Sequence, residues 1–342
     1  MNNRKRVGKS GLQMSKFSLG AMTFCHSGSY GEISASKHEL NSIIDVAIEN
    51  EVNTFDTANV YGMGESERTL GRLLNERRNN CVISTKVRFP AVDKDKSGKL
   101  PNYGEYGLSR HSILESVHRS LKNLRTEYID LLYLHMQDRM VPIEETLAAL
   151  DSLVQSGKVR YIGISNFMAY RLVEALWKAD THGYVSLTAV QAPWSVIKRD
   201  IEDELLPAIK SFDLGLIVYS PLSRGFLSDK HQPGLPATSS RLQKWPEQWQ
   251  QYDTDKNWLI LNELHRIAKT HDTSVSSVAL AWLASKRSVS SILLGVTSAK
   301  QLQDNLGSAT LTLHREEIQL IDKISEPDFT YPCEFIKQYE QW

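Results

Sequence analysis

Short apolar runs and one-sided helical stripes take turns along this chain. Residues 17–23 read as a strand, and Ser36-Lys37-His38-Glu39 then forms a capping box ahead of a stripe made by Leu40, Ile43, Ile44, Ala47 and Ile48. Residues 53–56 predict a second strand and 66–74 the helix after it. Residues 81–86 predict a third strand, followed by a helix whose Ile113, Leu114, Val117, Leu121 and Leu124 share one face. Ile129–Leu134 is apolar enough for a parallel strand buried on both sides. Next, Ile143, Leu147, Leu150, Leu153 and Val154 lie on one side of a helix that ends at Gly157, with a strand at 159–164. A helix at 170–178 precedes a strand at 187–191. Ile201, Leu205, Leu206, Ile209 and Phe212 mark the next helix, and 214–219 the next strand. After a long loop, 258–269 and 274–285 predict two helices, 292–294 the last strand and 299–308 the last helix.

Eight strand–helix units in order, with no break in composition, require a parallel sheet with helical crossovers. Eight units favour closure into a (β/α)8 TIM barrel, one domain over residues 1–342. An open doubly wound sheet would carry G-x-G-x-x-G after its first strand, whereas the turn here reads Gly20-Ala21-Met22-Thr23. Residues 5–7 against 12–14, around Gly8-Lys9-Ser10-Gly11, predict a hairpin that plugs the N-terminal end of the barrel. The segments 88–108 and 222–257 are too long for simple connections. Both leave C-terminal strand ends, where barrels keep their chemistry.

Composition narrows the partners. Forty basic and forty acidic residues cancel, which excludes a broad electrostatic footprint for nucleic acid or an anionic membrane. No apolar stretch approaches the ~20 residues of a membrane span, and the basic N-terminus leads into no signal core. Cys25, Cys81 and Cys333 are too few and scattered for a disulfide framework or a thiolate metal site. A soluble, reduced, cytoplasmic protein is expected, and the sequence leaves its oligomeric state open.

In such a barrel Asp56, Tyr61, Lys86 and His135 follow three neighbouring strands and meet at one mouth. Taken singly, Lys86 reads as an edge charge, Asp56 as a turn cap and His135 as a core histidine. Together they suit carbonyl reduction, which needs a hydride on carbon and a proton on oxygen. A tyrosine, with an ordinary pKa of about 10, gives up a proton more readily beside an ammonium. That assigns proton donation to Tyr61, tuning to Lys86 and Asp56, and carbonyl positioning to His135.

The runs Phe55-Asp56-Thr57-Ala58-Asn59-Val60-Tyr61-Gly62 and Gly64-Glu65-Ser66-Glu67 resemble the second-strand signature of aldo-keto reductases. Ser84-Thr85-Lys86, the stretch ending Tyr133-Leu134-His135, Gly163-Ile164-Ser165-Asn166-Phe167 and Tyr219-Ser220-Pro221-Leu222 match further motifs in the family's order. The resemblance runs from about Arg6 to Leu311 and is strongest to the branch containing bacterial oxidoreductases and potassium-channel β subunits. It implies NADPH as hydride donor, a small carbonyl substrate and the same four roles at Asp56, Tyr61, Lys86 and His135.

It also implies a cofactor site. Ser165, Asn166 and Gln191 match positions that hydrogen-bond the nicotinamide carboxamide, and Tyr219 the ring stacked on the nicotinamide, although core packing explains Tyr219 as well. Ser220, Leu222 and Arg224 match the pyrophosphate segment, and Gly295, Thr297, Ser298, Gln301 and Asn305 the adenosine end. Relatives with strong NADP preference often carry Lys and Arg where this chain has Gly295 and Gln301. Thr297, Ser298 and Lys300 remain to hold a 2′-phosphate, so NADPH is expected with tolerance of NADH.

Met22, Phe24, Arg88, Phe89 and Met136 follow strand ends near the expected hydride site. Trp245 and Trp249 either shape a pocket from the long loop or pin that loop to the barrel, and Trp194 receives no role. Three alternatives compete: a redox-sensing subunit, a carboxylate-pair hydrolase and a metal-dependent site. A redox-sensing NADPH-binding subunit would want a contact surface or an N-terminal extension, and the sequence begins nearly at the hairpin, so an enzyme is expected. A carboxylate-pair hydrolase lacks a second acid, and His135 lacks companions at metal-ligand spacing.

Overall fold

A computed structural model describes residues 4–27, 34–91, 106–228, 230–235, 237, 242–243 and 246–340. An antiparallel pair, β1 (Arg4–Arg6) and β2 (Gln13–Ser15), precedes the barrel. The barrel strands are β3 (Phe17–Gly20), β4 (Thr54–Asp56), β5 (Val82–Val87), β6 (Ile129–Leu134), β7 (Val159–Ser165), β8 (Ala189–Pro193), β9 (Gly215–Tyr219) and β10 (Val289–Leu294). They pair in parallel in that order, and β10 closes on β3 through Ile292 opposite Phe17 and Leu294 opposite Leu19. This is the (β/α)8 barrel with its N-terminal hairpin.

The strands hide nearly every side chain because both faces are covered, inside by the barrel filling and outside by helices. Around the outside run α1 (Lys37–Glu49), α2 (Glu65–Leu74), α3 (Arg110–Leu124), α4 (Ile143–Gln155), α5 (Ala169–His182) and α6 (Leu205–Ser211). After β9 come α7 (Pro246–Tyr252), α8 (Asp255–Thr270) and α9 (Val275–Ser285), and after β10 come α10 (Ala299–Gly307), α11 (Arg315–Ile324) and α12 (Cys333–Lys337). Among the described residues no helix is long and apolar enough to cross a membrane.

Local chemistry sets the ends. Ser36, Ser109, Thr254, Ser274 and Ser298 each accept a backbone N–H of the first turn, starting α1, α3, α8, α9 and α10. The capping box expected at Ser36 is half formed. Ser36 caps Glu39 N, but the Glu39 carboxylate reaches across to accept the Ala299 N–H at 2.9 Å, a first-turn amide of α10 that has no partner within its own helix.

The hairpin closes the N-terminal end as expected, with its strands displaced by one residue. Val7, Leu12 and Met14 pack against Leu131, Ala189, Ile217 and Leu293 inside the barrel. Gly8 has φ 54°, and a Cβ there would lie 2.3 Å from the Asp213 carbonyl oxygen, while Lys9 N donates to that oxygen at 3.0 Å.

Differences from the expected boundaries have local causes. The first strand stops at Gly20, after which Ala21–Thr23 turns as a 3-10 helix. The stripe from Ile201 to Phe212 divides into a 3-10 turn, Asp200–Glu202, and the shorter α6. Trp249 is buried against Phe226 and Trp258, so it pins the loop, whereas Trp245 lies outside the described residues. Trp194 is structural: its indole N–H donates to Glu202 at 2.8 Å and its ring meets Trp282 edge-on.

Candidate active site

Asp56 ends β4 and Lys86 stands next to last on β5, and both are buried, Lys86 to 1% exposure. An ammonium with so little water around it needs fixed acceptors. Lys86 Nζ donates to Asp56 Oδ1 and, at 2.8 Å, to the Thr57 carbonyl. The second carboxylate oxygen accepts from Ser84 Oγ at 2.6 Å and from Gln191 Nε2 at 2.9 Å. Ser84 stands in the Ser84-Thr85-Lys86 motif of the sequence without a site role, although period-two alternation along β5 puts it on the same inward face as Lys86.

Tyr61 lies in the turn between β4 and α2. Gly62, with φ 55°, makes that turn possible, since a Cβ there would sit 2.4 Å from Cys25 Cβ. Lys86 Nζ lies 5.2 Å from the centroid of the Tyr61 ring, and the His135 ring stands edge-on to it at 5.9 Å and 85°. His135 is seated by its backbone: its N–H donates to Val87 O at 2.9 Å, and its carbonyl accepts Asn166 Nδ2 at 2.8 Å. Phe89 packs on the imidazole edge at 5.1 Å. Desolvation, followed by the charges of Lys86 and Arg88, holds the His135 pKa well below the ordinary value, so the ring is neutral. Its Nδ1 is buried with no hydrogen-bond partner among the described residues. The four residues singled out from the sequence therefore meet at one mouth.

The expected cofactor positions divide. Ser165 ends β7, and Asn166, with φ 56°, donates to Ser165 Oγ at 3.0 Å and accepts the Tyr219 hydroxyl at 2.8 Å. Burial pushes the Tyr219 pKa up to about 12, so that hydroxyl keeps its proton. Gln191 is the exception: its amide nitrogen is turned to Asp56, making it part of the carboxylate's support. After Tyr219 the backbone takes positive φ at Ser220 (51°), Ser223 (48°) and Arg224 (59°). Leu222 O accepts both Gly225 N and Leu227 N, which folds this segment into a tight turn at the mouth.

At the last barrel corner Ser298 Oγ accepts Gln301 N at 3.2 Å, and the Gln301 side chain accepts Thr297 N at 3.0 Å. Gly295 is exposed and Asn305 buried. Lys300 is paired with Asp304 at 3.1 Å, and Glu39 already occupies the Ala299 amide. The cation expected to help with a 2′-phosphate is thus partly neutralised, and an acid stands nearby.

A cavity of about 510 Å3 opens beside Asn166, walled by Arg88, Met136, Phe167 and Met168. Of the residues expected near the hydride site, Arg88 and Met136 line it and Phe89 touches His135, while Phe24 is core.

A barrel whose second, third and fourth strands deliver an Asp–Lys pair, a tyrosine and a neutral histidine to one mouth defines a class of enzyme-like (β/α)8 proteins. Comparison makes the class specific. The Aldo/keto reductase family model matches residues 16–326. The chain is 31% identical over 328 residues to the "Uncharacterized oxidoreductase YrpG" of Bacillus subtilis (strain 168), covering 93% of this chain and 94% of that one. It is 32% identical to "Probable aldo-keto reductase 1" of Glycine max, covering 92% and 87% of the two chains. A "Probable voltage-gated potassium channel subunit beta" of Arabidopsis thaliana is 34% identical, covering 88% and 89%. The chain belongs to the aldo/keto reductase family of oxidoreductases.

Proposed function

We propose that this chain reduces aldehydes or ketones to alcohols with hydride from NADPH, using Tyr61 as the proton donor, within one barrel unit spanning residues 1–342. The observation that carries the reading is the buried Lys86 ammonium, fixed by Asp56 and Thr57 and lying 5.2 Å from the Tyr61 ring centroid. That charge stabilises the phenolate left when Tyr61 gives its proton to the carbonyl oxygen. Asp56, steadied by Ser84 and Gln191, holds and aims the lysine. The neutral His135 donates one N–H toward the same oxygen and orients the carbonyl.

The residues present fit a nicotinamide cofactor: Ser165 and Asn166 offer a hydroxyl and an amide beside Tyr219, and His135 Nδ1 is a buried polar atom with no partner among the described residues. When bound, the dihydronicotinamide supplies the hydride. Ser220, Leu222 and Arg224 would hold its pyrophosphate, and Gly295, Thr297, Ser298, Gln301 and Asn305 its adenosine end. Because Glu39 and Asp304 stand at that end, NADH is accepted as well as NADPH.

The test is NADPH oxidation with a small aromatic aldehyde, run beside Tyr61→Phe. Loss of the hydroxyl is expected to lower turnover by about 10²- to 10⁴-fold while NADPH still binds. Wild-type turnover in Tyr61→Phe would refute the assignment. Tight NADPH binding without turnover of any aldehyde would favour a redox-sensing role.

A further inference from the structure

Among the described residues Arg88, a cation in the cavity wall, forms no ion pair. Arg88 is partly buried, two residues beyond Lys86 on the same strand end. Its Nε donates to Gln137 O at 3.1 Å, and its guanidinium carbon lies 5.0 Å from the centroid of Phe89, the ring that also packs on His135. Among the described residues no hydrogen bond or ion pair reaches its two terminal nitrogens. Asp138 in the same wall turns its oxygens to backbone amides instead: Oδ2 accepts Leu108 N and Oδ1 accepts Met140 N, both at 3.0 Å.

The backbone at Arg88 is also held in a costly conformation, φ 141°, by Gly107 N donating to its carbonyl at 2.7 Å. The side chain, held by its Nε bond to Gln137 O and by Phe89, lies in the cavity wall with the apolar Met136, Phe167 and Met168. A planar guanidinium with a free edge matches a carboxylate with two parallel hydrogen bonds. Next to an apolar wall, it suits a molecule carrying an anionic end on an apolar body.

Resting on the reductase reading, which it makes more specific, we propose that the substrate is an aldehyde or ketone bearing a carboxylate. Its carbonyl lies between Tyr61 and His135, its apolar body runs along Phe89 and Met136, and its carboxylate pairs with the Arg88 terminal nitrogens. The ring of Phe89, touching both His135 and Arg88, spaces the two ends by about the length of one aromatic ring.

Two measurements test this on the full chain with NADP+ or NADPH present. Calorimetric titration with benzoate is expected to show binding that weakens about tenfold to a hundredfold in Arg88→Gln and recovers in part in Arg88→Lys. The ratio of kcat/KM for 4-carboxybenzaldehyde over 4-methylbenzaldehyde is expected to exceed ten in the wild type and to collapse toward one in Arg88→Gln. Benzoate binding no tighter than benzamide, or unchanged in Arg88→Gln, overturns the proposal. So does preference for phenyl phosphate over benzoate. Equal turnover of the two aldehydes overturns it while leaving the reductase reading intact. Arginine-dependent benzoate binding with neither aldehyde reduced keeps the anion site and overturns the reductase reading instead.

Discussion

His135 carries a cost that depends on pH. Its folded pKa lies well below the ordinary 6.5, so below about pH 6.5 the unfolded chain binds a proton that the folded chain refuses. Stability therefore falls as pH drops through that point. Replacing the ring by an uncharged side chain, His135→Gln, is expected to flatten this acid limb. Urea denaturation at pH 7 and pH 5 checks it: the gap between variant and wild type should shift in the variant's favour at the lower pH. A gap independent of pH would mean that the ring titrates normally. The same scale shows what one residue type conceals. Asp56, Tyr61, Lys86 and His135 were legible because their chemistry admits few arrangements. Gln191 was legible in position but not in partner, because an amide both donates and accepts and a sequence does not say toward which neighbour it turns.

Helix α10 shows the equivalent conflict between elements. Its first turn presents amides to whatever anion arrives, and Glu39 from α1 holds one of them. Glu39→Gln removes that negative charge without shortening the side chain. Binding of NADPH relative to NADH is expected to improve about two- to fivefold, the size of one charge acting on a helix end. Direct titration of each cofactor measures it, and equal improvement for both would assign Glu39 a purely structural part. The helix itself was visible from Ser298 and the stripe behind it. The crossing carboxylate was not, since residues 39 and 299 are joined by barrel closure and by nothing local. Helices α7, α11 and α12 were also unforeseen, being short or outside the strand–helix rhythm.

For the molecule as a whole, the barrel followed from alternation because parallel strands leave few topologies open. The closing register between β10 and β3 did not, since it depends on packing that the periodicity does not encode. The hairpin that seals the N-terminal end depends on Gly8. Gly8→Ala places a methyl group against the Asp213 carbonyl in a backbone region unfavourable to alanine, and is expected to cost about 2 kcal/mol or more. Equilibrium denaturation reads this directly, and wild-type stability in Gly8→Ala would show that the plug is not seated as described.

The depth of Lys86 has a practical side. With 1% of it exposed, it is hidden from reagents dissolved in water, and the Asp56 and Thr57 oxygens occupy its protons. Amine-directed chemistry will find the exposed Lys210, Lys300 and Lys323 first. The protein can therefore be tethered to a bead or a chip through its lysines with the ammonium beneath Tyr61 left unmodified.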